Sequence, residues 1–336
     1  MRKDLAKVFL FKAGLFVFFI AFTPLLFGSG AEASDVRRWR GEWHKTDFSK
    51  TSIDFDEIMS GGPSKDGIPA IDNPKFELAA SIATLGNDEP VVSIVVNGEA
   101  RAYPLQILMW HEIVNDQIGE VPVTVTFCPL CNSAIVFDRR LKGAILDFGT
   151  TGKLRNSDLV MYDRQTESWW QQFTGEGIVG THTGESLKML PSRVESFARF
   201  RKRSPKGKVL VPNSTSMRAY GYTPYAGYDS SQLPFLYRGK LPSNIAPLER
   251  VVSVGGEAWG LNFLRDRGKI VAKDLVLTWE SGQNSALDVE RISEGRDIGN
   301  VIVQRKTADG LEDVVHDISF AFAFHAFYPN SAIHVE

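Results

Sequence analysis

Both cysteines of the chain lie in one tetrapeptide, Cys128-Pro129-Leu130-Cys131, where residue type and spacing point directly to chemistry. Two thiolates separated by two residues on a tight turn can aim at a single ion. The same spacing also permits an intramolecular disulfide and a lowered thiol pKa. Structural zinc wants four ligands, and with no second cysteine pair in the chain a plain zinc finger is disfavoured. Soft thiolates with few other ligands suit Cu(I), which makes copper the first expectation and zinc the alternative. His111, 17 residues before Cys128, is the expected third ligand. Its neighbours Trp110 and Glu112 offer an apolar shield and a carboxylate that orients the ring. Among the other histidines His325 is the reserve, in an aromatic run that reads equally well as a core strand.

A redox pair of the thioredoxin kind places its first cysteine at a helix start, where the helix dipole activates the thiol. Here Asn132 to Arg139 reads as turn and strand, so that activation is not evident. The segment Asn156 to Trp170 mixes polar, acidic and aromatic residues, and Arg155, Asp158, Tyr162 and Glu167 are expected to line a pocket. Five of the eight tyrosines, Tyr220, Tyr222, Tyr225, Tyr228 and Tyr237, gather in one connecting segment. They suit stacking on a glycan or a partner protein, or simple packing of a long loop. Phosphate loops, the Gly-x-Ser-x-Gly elbow and the His-Glu-x-x-His helix are absent.

The elements that must hold these residues are mostly strands. Apolar residues alternate or run in short β-branched stretches, with strands expected at Val91–Val96, Val121–Phe127, Ala134–Phe137, Leu159–Tyr162, Val251–Val254, Leu275–Thr278 and Val301–Val303. Helices are expected at Pro104–Val114 and Val194–Phe200. The fold class is therefore β-rich α+β with few short helices. Two halves are similar in sequence: Val91-Val92-Ser93-Ile94 followed by Gly98-Glu99-Ala100 recurs as Val251-Val252-Ser253-Val254 followed by Gly256-Glu257-Ala258. Asn132-Ser133-Ala134 likewise recurs as Asn284-Ser285-Ala286. This pattern reads as an internal duplication whose second copy carries Glu280 and Gln283 where the first has cysteines, and whose shorter spacer lacks the Trp110-His111-Glu112 segment. The expected organisation is a signal peptide (1–33), an N-terminal extension (34–67), a first half with the site (68–203), a Pro/Tyr-rich connection (204–247) and a degenerate second half (248–336).

With 336 residues, 43% hydrophobic and 23% charged, the chain has a globular composition, and its net charge of −2 gives no reason to expect a nucleic-acid partner. Arg2, Lys3, Lys7 and Lys12 precede an apolar stretch from Ala13 to Phe27. That stretch is short for a membrane span and right for a secretory signal cleaved after Ala33, with an uncleaved N-terminal anchor as the alternative. No span is expected in the mature chain, which is placed in the periplasm or secreted. An oxidising compartment closes idle thiols, so an open Cys128/Cys131 pair there needs a metal or a redox partner.

Tyr103-Pro104-Leu105, Trp110 to Asp116, Val121 to Ala134, Phe137-Asp138-Arg139 and Ser157 to Ser168 together resemble the family called domain of unknown function 3179, from about Ile68 to Tyr328. The resemblance implies an exported or membrane-associated protein and marks His111, Cys128 and Cys131 as its motif positions suited to chemistry; it implies no substrate. The leading expectation is an exported metal-binding carrier or redox centre that meets a small molecule or redox partner. The alternatives are a thiol-disulfide oxidoreductase using Cys128 and Cys131, and a non-catalytic glycan- or protein-binding module with a structural disulfide.

Overall fold

In the computed structural model, residues 29–214, 216 and 218–336 are described, so the signal core Ala13–Phe27 lies outside the described residues. The expected cleavage point after Ala33 falls within a first helix, α1 (Ser29–Glu42). Among the described residues no helix is long and apolar enough to cross a membrane.

Every strand expected from the sequence is present, and tight turns fix their pairing. Asn97-Gly98, Asn156-Ser157 and Gly255-Gly256 each place two consecutive residues at positive φ. This is the turn whose twist matches that of the paired strands, so each dipeptide closes a hairpin. The Pro90–Val96/Glu99–Pro104 hairpin is flanked by Arg193–Ser196 on one side, antiparallel, and by Lys208–Val211 on the other, parallel. In the second half, Arg250–Val254/Glu257–Gly260 is flanked by Asp317–Phe320 and Ile333–His334 with the same two polarities.

A seven-residue helix follows each hairpin, α2 (Leu105–His111) and, in the second half, α4 (Leu261–Arg267). Each helix leads into a four-stranded antiparallel sheet. The first runs Ile113–Ile118, Val121–Cys128, Ser133–Asp138, Lys188–Leu190; the second runs Lys269–Ala272, Leu275–Glu280, Asn300–Thr307, Gly310–Asp313. Two more seven-residue helices, α3 (Phe197–Arg203) and α5 (Ala321–Phe327), complete the halves. The first half alone carries an extra five-stranded sheet, of which Phe148–Arg155, Asp158–Asp163 and Trp169–Gln171 form the centre.

Three expectations shift. The helix expected over Pro104–Val114 stops at His111, because Glu112 adopts a left-handed conformation (φ +55°) and Ile113 begins a strand. The stretch Val194–Phe200 divides at Ser196 between a strand and α3. The aromatic run around His325 is α5, not a strand: Phe322 and Phe324 are buried, and His325 is not.

The main core spans both halves, from Val92 and Phe127 to Phe320 and Phe324. A separate aromatic core joins the N-terminal extension to the extra sheet. Trp39, Trp43 and Phe48 surround Trp169 with ring centroids 5.3–5.4 Å away. Lys153 lies 5.2 Å over the Trp169 ring, which is fully buried. Replacing Trp169 by Ala should cost about 3–5 kcal/mol in chemical denaturation. A loss below about 1 kcal/mol would mean that the extension is not part of the cooperative unit.

Candidate metal centre

The cysteines sit on the turn joining Val121–Cys128 to Ser133–Asp138, with Cys128 paired directly to Ser133. Asn132 takes a left-handed conformation and its N–H returns to the Pro129 carbonyl at 3.2 Å, so four residues close the hairpin as a knuckle. The second half holds this knuckle in place. Phe320 N donates to Cys131 O (2.9 Å), Asn132 Nδ2 to Ile318 O (2.8 Å), and Ala134 N to Asp317 Oδ1 (3.0 Å).

A second turn supplies the third acidic group. Asn156-Ser157 turns the extra sheet back on itself and starts the strand at Asp158. The Cys128 thiol lies 3.7 Å from the Ser157 carbonyl it donates to. Asp158 Oδ2 accepts from Gln171 Nε2 at 2.6 Å and from Phe173 N at 3.0 Å, whereas its Oδ1 is buried and has no partner. The sulfurs of Cys128 and Cys131 and a carboxylate oxygen of Asp158 all lie within 4.8 Å of one another. Both thiols are free.

Glu112 faces the same volume from the end of α2. Its N–H caps the helix at Leu108 O (2.7 Å) and its carbonyl accepts from Phe127 N (2.8 Å). The residue is 8% exposed and its carboxyl makes no hydrogen bond. A side chain in left-handed backbone is itself disfavoured by about 1–2 kcal/mol, a cost that glycine escapes.

Burial raises all four groups above their ordinary ranges. Glu112 is pushed to about 8 by burial and then by the nearby Asp158, and Asp158 to about 7 by burial. The Cys128 thiol rises through burial and the facing Asp158 and Glu112; Cys131 rises further through burial, Cys128 and Asp158. No lysine, arginine or histidine is among the principal influences on any of them. Behind the knuckle, burial also lifts Asp317 to about 6.

The tyrosine-rich connection covers the knuckle. Tyr228 donates to Leu130 O (3.0 Å) and accepts from Phe235 N (3.2 Å), while Ser157 Oγ donates to Phe235 O (2.6 Å). Tyr225 lies beside Glu112 and Cys128, whose charges add to the upward push of its own burial.

Of the residues marked in the sequence, Cys128, Cys131, Asp158 and Glu112 share this volume. His111 does not join the group of ligand atoms. Its Nδ1 is 2.8 Å from Pro69 O and its Nε2 2.8 Å from the Tyr220 hydroxyl, so both nitrogens are engaged elsewhere. Trp110 donates to Tyr222 O (3.2 Å). Arg155 pairs with Glu57 (2.7 Å) and reaches Asp158 only through Gln171, whose Oε1 is 3.3 Å from Nη1. Tyr162 stacks edge-on with Trp43 and donates to Asp66; Glu167 pairs with Lys65 (2.7 Å), so both belong to the neighbourhood of the aromatic core. Asp158 beside the sulfurs, Gln171 as its support and Tyr228 as the cover of the Cys-Pro-Leu-Cys turn were not assigned those roles from the sequence. The Asn-Ser turn before Asp158 is the one local signal that singles it out.

A family model described as "Protein of unknown function (DUF3179)" matches residues 65–331, most of the chain, and the chain belongs to that family. No curated protein and no solved structure matches it.

The fold favours protonated Glu112, so its contribution to stability is whole below the ordinary carboxylate value and is lost as pH rises through about 8. Held free of metal by a chelator, the wild type should therefore lose stability relative to Glu112→Gln as pH rises from about 4.5 to about 8. Parallel stability curves for the two proteins would show that the carboxyl is solvated.

Proposed function

We propose that this is a metal-binding protein whose centre is formed by Cys128, Cys131 and Asp158, and that the ion is zinc. The observation that carries the reading is the burial of these three acids together, with Asp158 Oδ1 unpartnered and no cation among the groups that act on them. A dry volume cannot hold that many ionised groups without a counter-charge, and a divalent cation on two thiolates and a carboxylate supplies it. With His111 engaged elsewhere, the third donor is a hard oxygen. This moves the preference from Cu(I), which suits soft ligands, to zinc, which accepts sulfur and carboxylate together. Three protein donors leave a fourth tetrahedral position open, as in centres that handle a substrate rather than closed structural ones.

We place the protein outside the cytoplasm, on the basic and apolar N-terminal pattern, where a bound ion also keeps the pair from oxidising. The halves read as an internal duplication, supported by their common order of hairpin, helix and four-stranded sheet. A thiol-disulfide couple is the second reading, favoured by the short distance between the sulfurs. Against it stand two sealed thiols with raised pKa values, since thiolate is the attacking form.

Elemental analysis and thiol counting on protein purified anaerobically test the reading. The expected result is near-stoichiometric zinc, lost in Cys128→Ser/Cys131→Ser, weakened by roughly tenfold or more in Asp158→Asn, and unchanged in His111→Ala. No metal with a closed Cys128–Cys131 disulfide would sink it in favour of the redox couple or a staple.

A further inference from the structure

The end of α2 places a carboxylate where the backbone asks for glycine. Glu112 has φ +55° and ψ −30°; at the matching end of α4 in the second half, Gly268 has φ +68° and ψ −35°. Both residues perform the same backbone task. Glu112 O accepts from Phe127 N at 2.8 Å and Gly268 O from Trp279 N at 2.9 Å. Phe127 and Trp279 each follow a threonine, Thr126 or Thr278, that pairs with the residue after the cap, Ile113 or Lys269.

The turn therefore closes in this fold with no side chain at all. In the first half it carries one that left-handed backbone disfavours, and that side chain adds nothing visible to the fold: it is buried and hydrogen-bonds to nothing. Its charged neighbours are Asp158, Cys128 and the phenol of Tyr225. Backbone strain without a local return points to a role at a site.

Glu112 is not one of the groups whose ligand atoms lie within 4.8 Å of one another, so it stands back from the donors. A metal–oxygen bond of about 2.1 Å followed by a hydrogen bond of about 2.7 Å puts an outer carboxylate roughly 4–5 Å from an ion. We propose that Glu112 is the outer carboxylate of the centre, accepting a hydrogen bond from the protic ligand, water in the resting protein, that fills the fourth position of the ion. It is a positioning residue, and the ligand class it selects is one carrying an O–H or N–H at the coordinating atom. This rests on the metal reading above.

The test uses the full chain, metal-free and reloaded with Zn²⁺ or Co²⁺, as wild type, Glu112→Gly and Glu112→Gln. Glu112→Gly should raise the melting temperature of the metal-free protein by a few degrees, since glycine relieves the turn and removes a buried acid. The same variant should bind zinc about 10–100-fold more weakly and shift the visible absorption of the Co²⁺ form. Glu112→Gln keeps an accepting oxygen and should fall between. A lower metal-free melting temperature in Glu112→Gly would show a structural side chain and overturn the proposal; so would unchanged zinc affinity and Co²⁺ spectrum. Wild type that binds neither ion would overturn the metal reading and this role with it. Stabilisation by Glu112→Gly in that case would separately report the strain.

Discussion

Four acidic side chains buried close together, with no cation among the principal influences on them in the described residues, are the constraint around which the first half is arranged. Glu112, Cys128, Cys131 and Asp158 approach from three separate elements, and each is more than nine-tenths buried. Burial alone would make each neutral, and their mutual repulsion pushes in the same direction. The groups that do touch them are those that position a carboxylate without cancelling its charge. Gln171 and the Phe173 amide hold one oxygen of Asp158 and leave the other buried without a partner. Such an arrangement is unfavourable for an empty protein and favourable for one that holds a positive ion.

The second half shows the same scaffold without that burden. At the position matching Cys128 it has Glu280, well exposed and paired with Arg199; at the position matching Glu112 it has Gly268. The hairpin, helix and sheet are therefore present in the second half with no buried acid at either position. What the second half contributes is support, because Phe320 and Asp317 hydrogen-bond to the backbone of Cys131 and Ala134 and the Ile318 carbonyl accepts from the Asn132 side chain. Displacing that strand would release both the turn and the orientation of Cys131.

Much of this was legible in the sequence, for identifiable reasons. The strands announced themselves through β-branched runs between Asn-Gly and Gly-Gly turns, and the knuckle through its Cys-x-x-Cys spacing. His111, expected as third ligand, stands apart from the sulfurs, because spacing along the chain says nothing about where a ring points. It lies in the last turn of α2, one residue before the left-handed cap, and its nitrogens are taken up by Pro69 O and Tyr220. Asp158 was marked only as pocket lining, since its approach to the sulfurs depends on packing the extra sheet against the knuckle. Helices α4 and α5 escaped because their apolar residues, Leu261, Phe263 and Leu264 and Phe322, Phe324 and Phe327, form short runs whose spacing suits a strand as readily as a helix.

The covering segment then decides how the centre can work. Between Lys208–Val211 and Arg250–Val254 the described residues form one short 3-10 turn and a single isolated bridge, Tyr222 to Arg291, and no named strand. It reaches the first half through single contacts, among them Tyr228 to Leu130, Ser157 to Phe235 and His111 to Tyr220, whereas backbone bonds to Leu287, Asp288, Glu290 and Ile292 and the pairing of the buried Asp229 with Arg250 and Arg296 tie it to the second half. Segments with few backbone ladder bonds open at lower free energy than the sheets beneath them. The sheets fix Cys128, Cys131 and Asp158 while the connection covers them, so on the metal reading proposed above an ion or its ligand would reach them by local opening of the contacts between the connection and the first half. His111 is one of those contacts: its Nε2 meets the Tyr220 hydroxyl at 2.8 Å, so the ring ties the covering segment to the end of α2.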